Sequence, residues 1–316
     1  MSTRTLPAFL GALLATLSLS VAAAPPLLSP ADLEERLSDP RIRVIDIREA
    51  KYFPSGHVPG AVSAPYAQWR GPASNPGELP EVAKLTELLQ GLGLRPDNHA
   101  VVVSSGADAT DFGSAARVYW TLKVAGIRQL SILNGGYRAW VADGQEIRYG
   151  PATVERSGFK PVLDRSLIAS RDEVAQAIEA RKALLLDARP AGFFRGESRH
   201  ASAKLAGTLP GASNLPHDRW FKPGTGRFVS TDEARSIAAA LRLEPGRDTL
   251  AFCNTGHWAA TNWFAMSEVI GQPQVKLYAG SMVDWTSAPK ALPVEGPGRV
   301  GQLLVDLRIW TARAFN

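Results

Sequence analysis

Short apolar runs without polar alternation recur along residues 29–295, separated by longer stretches whose apolar positions repeat at helical spacing. Val44-Ile45, Val101-Val102-Val103 and Ile132-Leu133 in the first half, and Leu184-Leu185-Leu186, Leu250-Ala251-Phe252 and Lys276-Leu277 in the second, predict strands buried on both faces. Residues 115–126 and 259–271 predict helices that end in glycine. Strands buried on both sides need helices on both sides, so each half is expected to be an α/β domain with a mainly parallel sheet.

The pattern occurs twice, offset by roughly 145 residues, which indicates duplicated domains and not a solenoid. Asp46-Ile47-Arg48 matches Asp187-Ala188-Arg189, and Gly56-His57-Val58-Pro59-Gly60-Ala61 matches Gly207-Thr208-Leu209-Pro210-Gly211-Ala212. Each segment leads through a turn-rich stretch to Trp69 or Trp220, and each copy closes on a turn and a tryptophan, Asn134-Gly135-Gly136-Tyr137 to Trp140 and Gly280-Ser281-Met282 to Trp285. The domains are therefore placed at 25–150 and 168–295. Residues 151–167, with neither period, form the linker. The tail, 296–316, predicts an amphipathic helix through Leu303, Leu304, Leu307, Ile309 and Trp310, expected to pack on the body because its polar face carries few basic groups.

The 316 residues are 45 % hydrophobic and 21 % charged, with a net charge of +5, an ordinary globular composition that excludes disordered, collagenous and coiled-coil chains. No basic run is present, so nucleic acid is not an expected partner. Residues 1–24 run from Arg4 through an uncharged apolar stretch, Leu6 to Val21, to Ala22-Ala23-Ala24 ahead of Pro25-Pro26. That order marks an export signal and predicts a periplasmic protein without stable membrane insertion after cleavage; an uncleaved anchor is the alternative. The single cysteine excludes an internal disulfide, and with only five dispersed histidines a metal site is not expected.

In an oxidising compartment a lone thiol is either buried or does chemistry. Cys253 follows the run ending at Phe252 and opens the loop Cys253-Asn254-Thr255-Gly256-His257-Trp258 ahead of a helix starting at Ala259. Ligands of parallel α/β sheets bind at this carboxyl end of the strands. A thiol at a helix mouth meets unpaired N–H groups and the positive end of the dipole, which favours the thiolate and suits a sulfur anion or oxyanion. Gly256 lets the chain curl so that the N–H groups point inward. His257 either pairs with the thiolate and protonates a leaving group or offers only its backbone N–H. Trp258 walls the pocket or stacks an organic donor. A cysteine phosphatase would need arginine six positions after the nucleophile, where Ala259 stands. The bland alternative is a buried cysteine that merely continues the strand.

The paired Asp-x-Arg strands, the two Gly-x-x-Pro-Gly-Ala segments and the closing Asn-Gly-Gly-Tyr-x-x-Trp and Gly-Ser-Met-x-x-Trp turns together resemble the rhodanese family of thiosulfate and mercaptopyruvate sulfurtransferases. The resemblance covers nearly all of residues 29–295. It implies two rhodanese-like domains of which only the second carries the cysteine, and the first copy has Ser104-Ser105-Gly106 at that place. It further implies that Cys253 takes sulfane sulfur from a small donor as a persulfide and passes it to a thiol or cyanide, with no cofactor. Asp187 and Arg189 are then a structural ion pair beneath the loop. The family's basic residues after the cysteine are replaced by Asn254 and Thr255, and its substrate-binding arginine by Phe193. Substrate contacts are expected from Asn254, Thr255, Gly256, His257, Trp258 and Arg195, with Arg199 a further substitute. The missing cations leave a second reading open, a non-enzymatic sulfur carrier loaded by a protein partner.

Overall fold

The computed structural model describes residues 23–241 and 243–314; the apolar stretch Leu6 to Val21, expected to be an export signal, lies outside the described residues. In the first domain β1 (Leu27–Leu28), β2 (Ile42–Asp46), β3 (Val62–Ser63), β4 (His99–Val103) and β5 (Gln129–Leu133) form one parallel sheet in the order β1-β5-β4-β2-β3. In the second, β6 (Ala183–Asp187), β7 (Ser213–Asn214), β8 (Asp248–Phe252) and β9 (Val275–Leu277) are ordered β7-β6-β8-β9, again all parallel. Ile168 makes a single parallel bridge to Leu277, the place that β1 occupies beside β5. The registers agree as well: Asp46 stands opposite Val103, and Asp187 opposite Phe252.

Successive strand residues point to opposite faces and feed different cores. Val44, Val101 and Leu133 pack with α1 (Pro30–Glu34) and α4 (Gly136–Ala142) through Leu33 and Trp140. Ile45, Val102 and Ile132 pack on the other face with α2 (Val82–Gly91) and α3 (Ala109–Val124). In the second domain Leu185, Leu250 and Phe252 meet α5 (Arg171–Ala180) and α9 (Ser281–Thr286). Leu186 and Ala251 face α7 (Thr231–Ala238) and α8 (Trp258–Trp263), and the short α6 (Ala191–Phe194) follows β6. The inner faces of both sheets belong to one continuous core.

That shared core is built where α3 meets α8. Phe112 of α3 packs its ring against Phe221, Phe228 and Phe264 of the second domain, with centroids 5.1, 5.4 and 5.6 Å away. Beyond it the Tyr119 hydroxyl donates to Glu268, and Lys123 pairs with the same carboxylate at 2.6 Å. The helix begins at Ala109, earlier than the apolar spacing predicts, because the Asp108 side chain accepts from the Asp111 N–H and caps it. α8 passes directly into a π-helical turn, Phe264–Val269.

The tail forms α10 (Arg299–Ala314), but its packing differs from the expectation. Val305 is buried, while Leu303, Leu307 and Trp310 are 67, 55 and 63 % exposed. Polar groups set this orientation: the Gln302 amide both donates to and accepts from the Ala206 backbone, and Asp306 pairs with Arg199. These fix the polar side to the body and turn the apolar side out.

Because the core is continuous across the domains, both should melt together. Phe112→Ala is expected to cost about 3–5 kcal/mol and to lower one calorimetric transition; two separated transitions in the parent protein would mean that the domains hold separate cores.

Candidate active site

Cys253 is buried at the carboxyl end of β8, and the chain curls through residues 254–257 into α8. Gly256 has φ +66°, and a Cβ there would lie 2.4 Å from the Ala279 carbonyl oxygen and 2.8 Å from an Arg117 nitrogen, so no side chain fits. The curl is fastened by Ser281. Its hydroxyl accepts from the N–H groups of Cys253 and Gly256, at 3.0 and 3.2 Å, and donates to the Tyr278 carbonyl at 2.8 Å. Met282 and Val283 N–H donate to the carbonyls of Cys253 and Asn254, each at 3.1 Å. Ser281 itself is left-handed, with φ +54°, where the first copy places Gly136 with φ +59°. A non-glycine residue pays about 1–2 kcal/mol for this conformation, which the three bonds at Oγ offset.

With Ser281 holding two amides, the N–H groups of Asn254, Thr255 and His257 have no hydrogen-bond partner among the described residues. They form a ring of donors beside a thiol, suited to an anion. The corresponding loop of the first domain is already filled: Ser105 and Gly106 N–H donate to the Asp111 carboxylate at 3.3 and 2.6 Å. Ser104 is buried, and its carbonyl accepts from the Tyr137 N–H. One copy carries a built-in carboxylate, and the other carries a thiol and open donors.

The first domain also reaches into the second copy's loop. Arg70 donates to the Thr255 carbonyl at 2.9 Å and to the Tyr66 hydroxyl at 2.9 Å. His257 lies between Tyr66, 2.8 Å from Nδ1, and the Thr110 carbonyl, 2.7 Å from Nε2. A carbonyl only accepts, so Nε2 carries the hydrogen, Nδ1 accepts from the Tyr66 hydroxyl, and all donors in the chain run one way. Gly113 of α3 makes room for this ring, since a Cβ there would sit 3.0 Å from Nε2. Burial, with Arg70 adding to it, holds the His257 imidazole down to about 4, so it is neutral at physiological pH. Arg117 of α3 is fully buried beneath the loop, donating to the Glu78 carbonyl at 3.0 Å and reaching the Gly256 carbonyl at 3.5 Å. Its Nε has no partner. Burial and then Arg70 lower its pKa to about 9, against the charges of Tyr66 and Cys253, and it stays protonated at neutral pH.

Of the other residues singled out from sequence, Asp187 and Arg189 form a buried pair beneath the loop, at 2.5 Å, and Arg189 also reaches the Asn254 side-chain oxygen at 3.4 Å. Trp258 stacks on His217, 4.7 Å between centroids, has Phe193 at its edge and donates to the Thr110 hydroxyl, making an aromatic wall. The His57 side chain stacks on Phe53 and bonds its carbonyl, and its backbone bridges to Arg148, away from the cysteine loop. Arg195 is corrected: it is exposed and paired with Glu197 at 2.6 Å, and the structure does not bring it to the loop. Arg199 is likewise engaged with Asp306 of α10. Sequence reasoning missed Arg70, Tyr66 and Arg117. The only available signal was the alignment of Trp69 with Trp220, which places Tyr66 and Arg70 in a segment matching the wall of the second domain.

Against known proteins, the rhodanese-like domain matches twice, at residues 29–143 and 170–288, and the chain belongs to that family. It is 33 % identical over 275 residues to a thiosulfate sulfurtransferase of Pseudomonas aeruginosa, covering 86 % of this chain and 97 % of the relative. It is 29 % identical over 277 residues to the sulfur carrier protein TtuD of Thermus thermophilus, covering 82 % and 93 %. Among solved structures it superposes on the 3-mercaptopyruvate sulfurtransferase SseA of Escherichia coli with a TM-score of 0.72 at 27 % identity, over 82 % of this chain and 99 % of that one. The chain is a sulfurtransferase of two rhodanese-like domains.

Two measurements test the loop's construction. Ser281→Ala removes the acceptor for two buried amides and should lower unfolding stability by about 2 kcal/mol in urea titrations, with sulfur transfer reduced at least as strongly. The depressed pKa of His257 makes the folded state bind its proton less readily than the unfolded one. Stability is therefore full above the ordinary histidine value of 6.5 and declines as pH falls toward about 4, by up to roughly 3 kcal/mol, levelling off below. His257→Gln should flatten that decline.

Proposed function

We propose that Cys253 is the nucleophile of a two-step sulfur transfer. The thiolate attacks the outer sulfur of a donor such as thiosulfate; the donor S–S bond breaks, and sulfite leaves with the electron pair. The sulfur remains on Cys253 as a persulfide, whose terminal anion faces the free N–H groups of Asn254, Thr255 and His257. An acceptor thiolate or cyanide then attacks that terminal sulfur, the persulfide bond breaks, and the Cys253 thiolate is restored. The observation carrying this reading is the contrast between the two loops: the donor ring beside Cys253 is open where its counterpart in the first domain is closed by Asp111.

Thiosulfate and mercaptopyruvate are both anions, and the family's usual loop cations are absent here. The charge is supplied across the domain boundary by Arg70, bound to the loop's own Thr255 carbonyl, and by Arg117 beneath it. The aromatic wall of Trp258, His217 and Phe193 suits the organic part of an acceptor thiol. The relation to TtuD, named a sulfur carrier, favours a second reading in which a protein partner delivers the sulfur. The amino-terminal charge and apolar pattern supports export to the periplasm.

Intact mass decides between the readings. Thiosulfate should add roughly 32 Da to the protein, cyanide should remove it, and Cys253→Ser should take up nothing. Loading only from a persulfide-bearing protein, with the thiol still alkylatable after thiosulfate and mercaptopyruvate, would establish the carrier instead. In steady-state assays Arg70→Gln should raise the KM for thiosulfate about tenfold, the order expected for one charge-assisted contact; an unchanged KM would remove Arg70 from donor binding.

A further inference from the structure

The apolar side of α10 faces away from the molecule. Val300, Leu303, Leu304, Leu307 and Trp310 are each more than half exposed. At 100° per residue they fall within one sector about 120° wide. Arg308 borders that sector on one side and Arg299 on the other, both exposed. The acids nearby are already engaged: Asp306, the only acid of the helix, is paired with Arg199 at 2.9 Å on the body side, and Glu197 with Arg195 at 2.6 Å.

From this arrangement we infer that α10 docks the protein peripherally on an anionic lipid surface. An apolar stripe with a tryptophan and arginine edges lies in the plane of a membrane interface, its rings and aliphatic side chains below the headgroups and its guanidinium groups among the phosphates. No described helix is long and apolar enough to cross a membrane, so the contact lies on the surface and does not span it. Charge also argues against a second copy as the occupant: two such stripes laid face to face set cationic edges against cationic edges. The inference does not depend on the sulfur chemistry, because no residue of this face touches the cysteine loop.

The test is sedimentation of the full chain with vesicles of phosphatidylcholine, with and without phosphatidylglycerol. Both wild type and variants keep the same amino-terminal stretch, so any difference belongs to α10. The wild type should bind the anionic vesicles roughly tenfold more tightly than the neutral ones. Leu303→Ser/Leu307→Ser/Trp310→Ser should lose most of the binding while keeping sulfur transfer, and Arg299→Gln/Arg308→Gln should lose only the preference for anionic lipid. Equal sedimentation of wild type and triple variant would overturn the proposal. So would a dimer in light scattering that the triple variant turns into a monomer, which would assign the face to a second copy.

Discussion

The packing of α3 on α8 is the constraint on which the site depends. It merges the inner faces of two sheets into one core, and in doing so it places the side of a first-domain helix directly beneath a second-domain loop. Arg117 is the sharpest consequence. A fully buried guanidinium with no carboxylate partner among the described residues is costly, and here it is held by two backbone carbonyls and the face of Trp120, 4.9 Å away. Among the described residues no carboxylate balances its charge, and the loop above is where a counter-ion fits. An anion formed or bound at Cys253 would supply one across the domain boundary.

The two copies solve one backbone problem in different ways. A strand ending in a curled loop before a helix leaves several N–H groups pointing inward, and they require an acceptor. In the first domain Asp111 supplies it from the following helix, and the left-handed turn behind the loop is a glycine. In the second, Ser281 accepts only two of the amides and the remainder stay open, with a serine held in the strained conformation that the first copy gives to Gly136. Among the described residues no acceptor takes the place beside Cys253 that Asp111 fills in the first domain, and that leaves the ring of donors available to a ligand.

Features with a local sequence signature were legible in advance. The strands announced themselves by unbroken apolar runs, the duplication by matching motifs, and the cysteine loop by its place after a strand. The start of α3 was not, because a capping bond from Asp108 sets it and not apolar periodicity. Nor does the pattern of α10 say which side faces inward; Gln302 and Asp306 decide that by bonds to distant residues. Arg195 lies close in sequence to Phe193, where the family's arginine is missing, yet the neighbouring Glu197 captures it. Arg70 reaches Thr255 across 185 residues of chain, and no spacing rule connects them.

The hydrogen-bond direction through Arg70, Tyr66 and His257 limits the chemistry further. His257 is neutral, its single ring hydrogen is committed to the Thr110 carbonyl, and its other nitrogen is occupied by Tyr66. The Tyr66 pKa is raised, chiefly by burial, so the phenol is a poor acid as well. In this arrangement the Tyr66 hydrogen points to His257 and the His257 hydrogen to Thr110, so neither is directed at Cys253. Thiosulfate expels sulfite, an anion that is stable without a proton, whereas removing sulfur from mercaptopyruvate leaves a carbon fragment that must be protonated. The cations nearest the loop are Arg70, bonded to the Thr255 carbonyl, and Arg117, buried beneath it. The His257 ring thus joins the second-domain loop to Tyr66 and Thr110 of the first domain.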